Sequence, residues 1–459
     1  MNRTVDRIQE SLTGYACGLN YDGLTLEAID AAKVRVIDTL GVLIGGFFAE
    51  PGRMARDVAA LIPDPHGATV IGTRMKTTPD MAAFANGTAA RYLELTDTYH
   101  WPGSYGGHPS DIVPAVLAAA EYARVSGREF INGIVLAYEV YMRTSDVFTN
   151  LGFDHTNLCS LATAVAAGKL LGLSRDQMAH CISMAVVPNN ALRVTRRGHL
   201  SMWKVTATGQ AGRAGVFAAL LAQAGMEGPH LPFEGKAGWC DHVALARFTL
   251  DTLGGHGTPF KILDTSIKLR PCAGTAMPSA LAAERIAPLT NVENVKEVTV
   301  EVYKRALDDN ATGEHHWNPD DKSTADHSAP YVAAATLMDG MLTLRSYDDA
   351  HLKNPDLRAL TRKIKVVENP EFTKAYARVP PEQRTRVTVV TTTGERLVGE
   401  TGGEKDSLST VQSNERIEKK FCSLAEEYLG AQRVSLVLKR LWRLDELKNI
   451  AEIPPAFTL

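Results

Sequence analysis

Between Glu94 and Asp111 the chain reads Glu-Leu-Thr-Asp-Thr-Tyr-His-Trp-Pro-Gly-Ser-Tyr-Gly-Gly-His-Pro-Ser-Asp. One segment thus gathers Glu94, Asp97, His100, His108 and Asp111 with Thr98, two tyrosines and three glycines. Imidazoles beside carboxylates and hydroxyls suit proton transfer near neutral pH. Gly103, Gly106 and Gly107 let the backbone turn tightly or approach a ligand. His108 precedes Pro109 and is biased toward extended geometry. The plainer reading is a polar loop whose Asp and Ser only cap the next helix.

Four further segments put polar residues where the pattern otherwise predicts buried scaffold. Phe153-Asp-His-Thr156 places His155 before an apolar helix, where a lone histidine is often structural. Leu192-Arg-Val-Thr-Arg-Arg197, with Arg196, concentrates cations ahead of Met202-Trp-Lys204. A lysine at such a helix entrance, here Lys204, usually snorkels to solvent. Ile267-Lys-Leu-Arg-Pro-Cys272 sets Lys268 and Arg270 at a domain junction, a common place for ligand clefts. Thr324-Ala-Asp-His-Ser-Ala-Pro-Tyr331 opens a helix. Asp326 or Ser328 would cap it, or its N-terminus, with Tyr331 facing a cleft, would bind a carboxylate. His315-His316 are adjacent, so their rings should point apart, which disfavours a metal site there.

The elements that must hold these residues are mostly helices. Ile29, Val36, Leu40, Leu43 and Phe47 recur at helical spacing after Thr25. Helices are expected at 79–93 and 112–124, then to 147 after a break at Ser126-Gly127. Further ones follow at 159–171 and 201–224, with a capping-box start at Ser174–Gln177. After Gly254-Gly-His-Gly257 the character changes. Val295–Val302 alternates as a half-buried strand, Ile364-Lys-Val-Val is another, and 386–399 reads as a hairpin turning at Thr393-Gly394. Helices are expected between them, around 276–287, 326–340 and 354–363. Thr401-Gly-Gly-Glu-Lys-Asp reads as a linker, and Ile417, Phe421, Leu424 and Tyr428 stripe a final helix. The expected fold is mostly α: a large all-helical domain, 1–265 and 403–459, with a smaller α+β lid domain inserted at 266–402.

Composition narrows the function classes. A net charge of −3 offers no basic footprint for nucleic acid and no polybasic membrane patch. Six scattered cysteines without a Cys-x-x-Cys pair predict reduced, mostly buried thiols and neither disulfides nor a zinc site. The first residues lack a signal-peptide core and no run is long and apolar enough to span a bilayer, so a cytoplasmic protein is expected. Dinucleotide, phosphate-loop, nucleophile-elbow and zinc-protease motifs are missing, which disfavours those chemistries.

Several pieces, in this order, resemble the MmgE/PrpD family, which includes 2-methylcitrate dehydratase, cis-aconitate decarboxylase and iminodisuccinate epimerase. They are Ile37-Asp-Thr-Leu-Gly-Val, Asn86-Gly-Thr-Ala, Asp97-Thr-Tyr with Gly107-His-Pro-Ser-Asp, Asp154-His-Thr, Lys169-Leu-Leu-Gly-Leu, Trp203-Lys, Gly228-Pro with Phe233-Glu-Gly, and Thr324-Ala-Asp-His-Ser-Ala-Pro-Tyr. The resemblance implies a homodimer acting on a small polycarboxylate without a metal or organic cofactor. Position by position, it carries the active-site positions onto Glu94, Thr98, His108, His155, Lys204 and Tyr331. Two positions depart from the family pattern: Glu94 stands where relatives have Asp, and Met277 where they have His or Gln.

The expected reaction is β-elimination of water from a hydroxy-tricarboxylate such as 2-methylcitrate. Removing a weakly acidic proton α to a carboxylate needs a positioned base and charge stabilisation. His155 or His108 would be that base, and the other histidine or Tyr331 would protonate the leaving hydroxyl. Lys204 would neutralise developing charge, Glu94 would orient a histidine or the lysine, and Thr98 would hydrogen-bond the substrate. Arg196, Lys268 and Arg270 are candidate carboxylate clamps. Epimerisation and decarboxylation need the same proton or electron handling, so both stay as alternatives. A non-catalytic, carboxylate-binding helical dimer is more remote, since a binder has no need of proton-transfer groups.

Overall fold

The computed structural model describes residues 5–198, 200–402 and 413–459. Helix takes up 57% of the chain and strand 10%, so the fold is mostly α with a small sheet domain. The larger apolar core draws its residues from 8–267 and again from 417–457. Its axis is the Leu26–Gly45 helix, capped by Thr25, whose hydroxyl accepts from Ala28 N, and buried along nearly its whole length. Ser126 and Ser174 each start a helix with a reciprocal capping box.

The helices that matter for the site are the ones built from small residues. Pro79–Arg91 crosses Trp203–Gln223 so closely that a Cβ on Gly87 would lie 3.0 Å from the Gly209 Cα. A Cβ on Gly209 would in turn collide with the Phe84 carbonyl. Larger residues at either position would push the helices apart, and with them the helix ends that carry Arg91 and Lys204. Thr156–Leu170 packs on the other side of Trp203–Gln223.

The second core takes residues from 272–389. Its four-stranded sheet runs in the order Ile364–Glu368, Val295–Val302, Thr385–Thr391, Arg396–Thr401. The first pair is parallel and the others antiparallel. Met277–Glu284 packs on the hairpin side, and Ala329–Asp339 begins with Ser328 Oγ accepting from Tyr331 N at 3.0 Å. Ser328, not Asp326, is therefore the cap.

Several expectations need correction. The nominally all-helical part also contains Pro63–Thr69 paired with Lys76–Thr77, and Asp97–Thr98 paired with Ser266–Ile267. Neither ladder is long enough to leave an alternating pattern. Tyr428 is 37% exposed, while Ile417, Phe421 and Leu424 are buried with Ala425 and Leu429. That helix ends at Leu429, and Gly430 separates it from Ala431–Trp442. The rings of His315 and His316 do not diverge: both sit on the single turn Glu314–Trp317 with centroids 4.1 Å apart. The linker expected after Thr401 lies, from residue 403 on, outside the described residues. Among the described residues no helix is long and apolar enough to cross a membrane.

Candidate active site

The Glu94–Asp111 loop is held by its own polar groups. Tyr99 N donates to the Gly107 carbonyl (2.8 Å) and Gly107 N to the Tyr99 carbonyl (3.1 Å), closing the loop between them. Asp97 anchors both flanks: its carboxylate accepts from Ser110 N at 2.9 Å and from the Tyr138 hydroxyl at 2.8 Å. The Asp97 carbonyl lies 2.8 Å from His108 Nδ1. A carbonyl can only accept, so Nδ1 carries the proton and the neutral ring keeps its lone pair on Nε2. Ser110 and Asp111 do not cap the following helix with their side chains. Asp111 instead faces His155 Nε2 at 3.1 Å and accepts from the Thr208 hydroxyl at 3.0 Å.

Glu94 has φ 56°, in the left-handed region that a glutamate rarely occupies. Its buried carboxylate lies 2.6 Å from Arg91, 2.6 Å from Lys268, 3.4 Å from Lys204 and 3.5 Å from His108 Nε2. Burial would raise its pKa, but Arg91, Lys268 and Lys204 outweigh that and hold the carboxyl well below the usual range. Lys204 does not snorkel outward. It is buried in the first turn of Trp203–Gln223, with Nζ 3.1 Å from Asp326 Oδ1 of the second unit. Burial lowers the pKa of Lys204 against Asp326 and Glu94, and that of Lys268 against Glu94.

A cavity of about 110 Å³ lies between the two units. The large unit lines it with Arg91, Glu94, His100, His108, His155, Arg193 and Arg196; the small one with Ala273–Thr275, Arg305, Asp309, Asn310 and His327. His108 and His155 meet edge to face, centroids 5.5 Å apart. Burial, then Arg91 and Lys268, pushes His108 well below the ordinary histidine pKa, so it is a neutral base at pH 7. His155 is lowered by burial and Arg196 against Asp154 and Asp111. Asp154 Oδ1 lies 3.5 Å from His155 Nδ1, so both ring nitrogens of His155 face carboxylates. Burial would raise Asp154, yet Arg196 and His155 hold it at about 2. Arg196 gives Nε to Asp154 at 2.9 Å, while its two terminal nitrogens are buried with no hydrogen-bond partner. Unpaired buried guanidinium N–H groups on a cavity wall are suited to an anionic ligand.

Of the expected residues, Glu94, His108, His155 and Arg196 stand on this wall. Lys204 and Lys268 sit behind it, against Glu94. Thr98 is buried behind the loop, its hydroxyl directed to the Gly107 carbonyl at 3.4 Å. Arg270 is not on the wall: Glu284 takes its guanidinium at 2.5 and 2.8 Å, beside a different cavity of about 780 Å³. Tyr331 is turned into the small unit's core, where its hydroxyl donates to the Ser346 carbonyl at 2.6 Å. Met277 is buried there too, its sulfur 3.3 Å from Leu269 N, and does not line the cavity. Arg91, His100, Arg193, Arg305 and His327 were not among the expected residues. Arg193 and His327 lie inside segments already notable for their charge, and His100 inside the Glu94–Asp111 stretch; Arg91 and Arg305 carry no sequence signal of their own.

The MmgE/PrpD N-terminal domain matches residues 10–249, and the MmgE/PrpD C-terminal domain matches residues 271–444. The chain belongs to the MmgE/PrpD family. Among its relatives, 2-methylcitrate dehydratase of Salmonella typhimurium is 28% identical over 411 residues, 83% of this chain and 82% of that one. The mitochondrial 2-methylcitrate dehydratase of Yarrowia lipolytica is 28% identical over 396 residues, 81% and 74% of the two chains. Cis-aconitate decarboxylase of Homo sapiens is 25% identical over 469 residues, 96% and 92%.

Among the described residues of this MmgE/PrpD chain, two groups have metal-ligand spacing: Asp111, His155 and Cys159, and Glu94, Asp326 and His327. Neither has the electrostatics of a cation site. The Cys159 thiol is pushed well up by burial, and Arg91 lies 3.6 Å from Asp111. Glu94 and Asp326 are already neutralised by Arg91, Lys204, Lys268 and Lys322.

Proposed function

We propose that this protein is a lyase that removes water from a small hydroxy-polycarboxylate of the 2-methylcitrate kind, without a metal or organic cofactor. The observation that carries this reading is the cavity wall, which a neutral His108 shares with the unpaired guanidinium N–H groups of Arg196. The anion's carboxylates would pair with Arg196 and Arg193, placing a Cα–H near His108 Nε2. His108 takes the proton, and the charge that develops on the adjacent carboxylate is stabilised by the cationic wall. Lys204 and Lys268 act through Glu94, which they keep ionised beside His108. The dehydratase relatives support the same direction.

A purified, chelator-treated protein would test this. Ultraviolet absorbance from a new carboxylate-conjugated double bond should rise with one 2-methylcitrate stereoisomer and more slowly with citrate. A flat trace with all hydroxy-polycarboxylates would overturn the reading. Histidines from both units on one cavity also suit an epimerase, with a base on each face. The decarboxylase relative favours carbon dioxide loss instead. Chiral analysis of iminodisuccinate and carbon dioxide release from cis-aconitate separate these two.

A further inference from the structure

Elimination needs a second proton group, one that reaches the departing oxygen. Tyr331 cannot be it, since its hydroxyl is spent on the Ser346 carbonyl in the small unit's core. His155 is poorly placed, because both of its ring nitrogens are directed at carboxylates. The small unit, however, brings its own imidazole to the cavity. His327 follows Asp326, and its Nδ1 is 2.5 Å from Asp326 Oδ1. Lys204 Nζ also lies 3.1 Å from this nitrogen, but the shorter contact is to a carboxylate, which can only accept, and it puts the proton on Nδ1. Asp326 is itself clamped by Lys204 at 3.1 Å and by Lys322 at 2.8 Å. The backbone of His327 is held by Asn310, which donates to its carbonyl at 3.0 Å. Its side chain is 25% exposed, against 11% for His108 and 4% for His155. Among the described residues Nε2 has no hydrogen-bond partner. The ring is oriented on one edge and open on the other.

We propose that His327, oriented by Asp326, is the general acid that gives its Nε2 proton to the leaving hydroxyl, while His108 takes the α-proton. This rests on the dehydratase reading above. The C–H electron pair becomes the new C=C bond, and the C–O bond breaks with its electrons on oxygen. The proton from His327 completes the water molecule. His108 ends protonated and His327 neutral, and solvent exchange restores both. Asp326 is a positioning residue.

The acid must be protonated when substrate is bound. Facing His327 are Asp326 beside it, Lys204 and Glu94 from the large unit, and His316 from the neighbouring turn. Arg305 and Asp309 share the cavity wall with it, and Lys322 reaches it through Asp326. Burial and Lys204 lower its pKa in the free protein against Asp326 and Glu94. A bound polycarboxylate adds negative charge beside Nε2 and raises it. The kcat–pH profile should therefore fall on its alkaline side as His327 loses its proton.

His327→Asn is the variant of choice, because the asparagine amide can still donate to Asp326; His327→Gln is the second, should the first not fold. Both would be assayed beside wild type for elimination and for exchange of the substrate α-proton in deuterium oxide. The expected result is elimination slowed about 100-fold or more, with exchange retained, KM little changed and the alkaline limb of kcat lost. Asp326→Asn should move that limb rather than remove it. Elimination at the wild-type rate with an unchanged alkaline limb would overturn the proposal. A wild-type protein that eliminates nothing would instead sink the dehydratase reading and this role together.

Discussion

His108 owes its proposed role to two contacts that sequence spacing does not encode. The Asp97 carbonyl fixes its tautomer, and burial with Arg91 and Lys268 keeps it neutral. The acid limb of kcat/KM should then lie below pH 6.5, the ordinary histidine value, because the base works only when unprotonated. The loop's residue types announced proton chemistry, since imidazoles and carboxylates crowd into one glycine-bearing stretch. Which ring nitrogen is free was not legible, because tautomer is set by a hydrogen-bond partner. Tyr331 shows the limit of carrying positions over by resemblance. Its hydroxyl belongs to Ser346 in the small unit's core. Tyr331→Phe should therefore leave kcat within a few-fold of wild type and lower stability by about 1 kcal/mol, the worth of one hydrogen bond. A loss of activity as large as that from His108→Asn would put the hydroxyl back in the reaction.

Elements place these residues through close approach. The Ala- and Gly-rich composition of Pro79–Arg91 and Trp203–Gln223 reads as helix, and it is also what lets their ends bring Arg91 and Lys204 to Glu94. Helix existence was legible from periodicity and caps; their crossing was not, because it depends on which small residues face each other. The 63–77 hairpin escaped notice for a related reason: Pro63, Asp64 and Gly67 break any alternation. Gly107 makes the loop's tolerance testable. It has φ 115°, and a Cβ there would meet the Tyr141 hydroxyl and lie 2.9 Å from His155 Cγ. Gly107→Ala should lower kcat sharply by displacing His155 and the His108 loop, with a smaller fall in melting temperature. Thermal melting and steady-state kinetics on one preparation would show whether activity is lost before the fold.

Across the whole molecule the two cores meet on charge. Glu94 and Asp326, one from each unit, share Lys204, and Lys322 of the small unit also donates to the Tyr92 carbonyl of the large one at 3.1 Å. The change of pattern near residue 255 disclosed a second unit, but not that its face would complete the site with Arg305 and His327. Long-range pairing leaves no local period to read. Glu94→Gln would leave the buried Lys268 without its countercharge, while Lys204 keeps Asp326, at a cost of about 3–5 kcal/mol. Because the folded pKa of Glu94 is depressed, its contribution is complete above the ordinary glutamate value of 4.5 and is lost as pH falls through the lower folded value. Urea unfolding of wild type and variant should thus differ by a constant amount above pH 4.5 and converge below it.

The most direct test of His108 as the base on a polycarboxylate is α-proton exchange in deuterium oxide, wild type against His108→Asn, with 2-methylcitrate as substrate. Exchange and elimination are expected in the wild type, both reduced about 100- to 10,000-fold in the variant, with the substrate still bound through Arg196. Exchange at the wild-type rate in His108→Asn would contradict this and move the base to another histidine of the cavity.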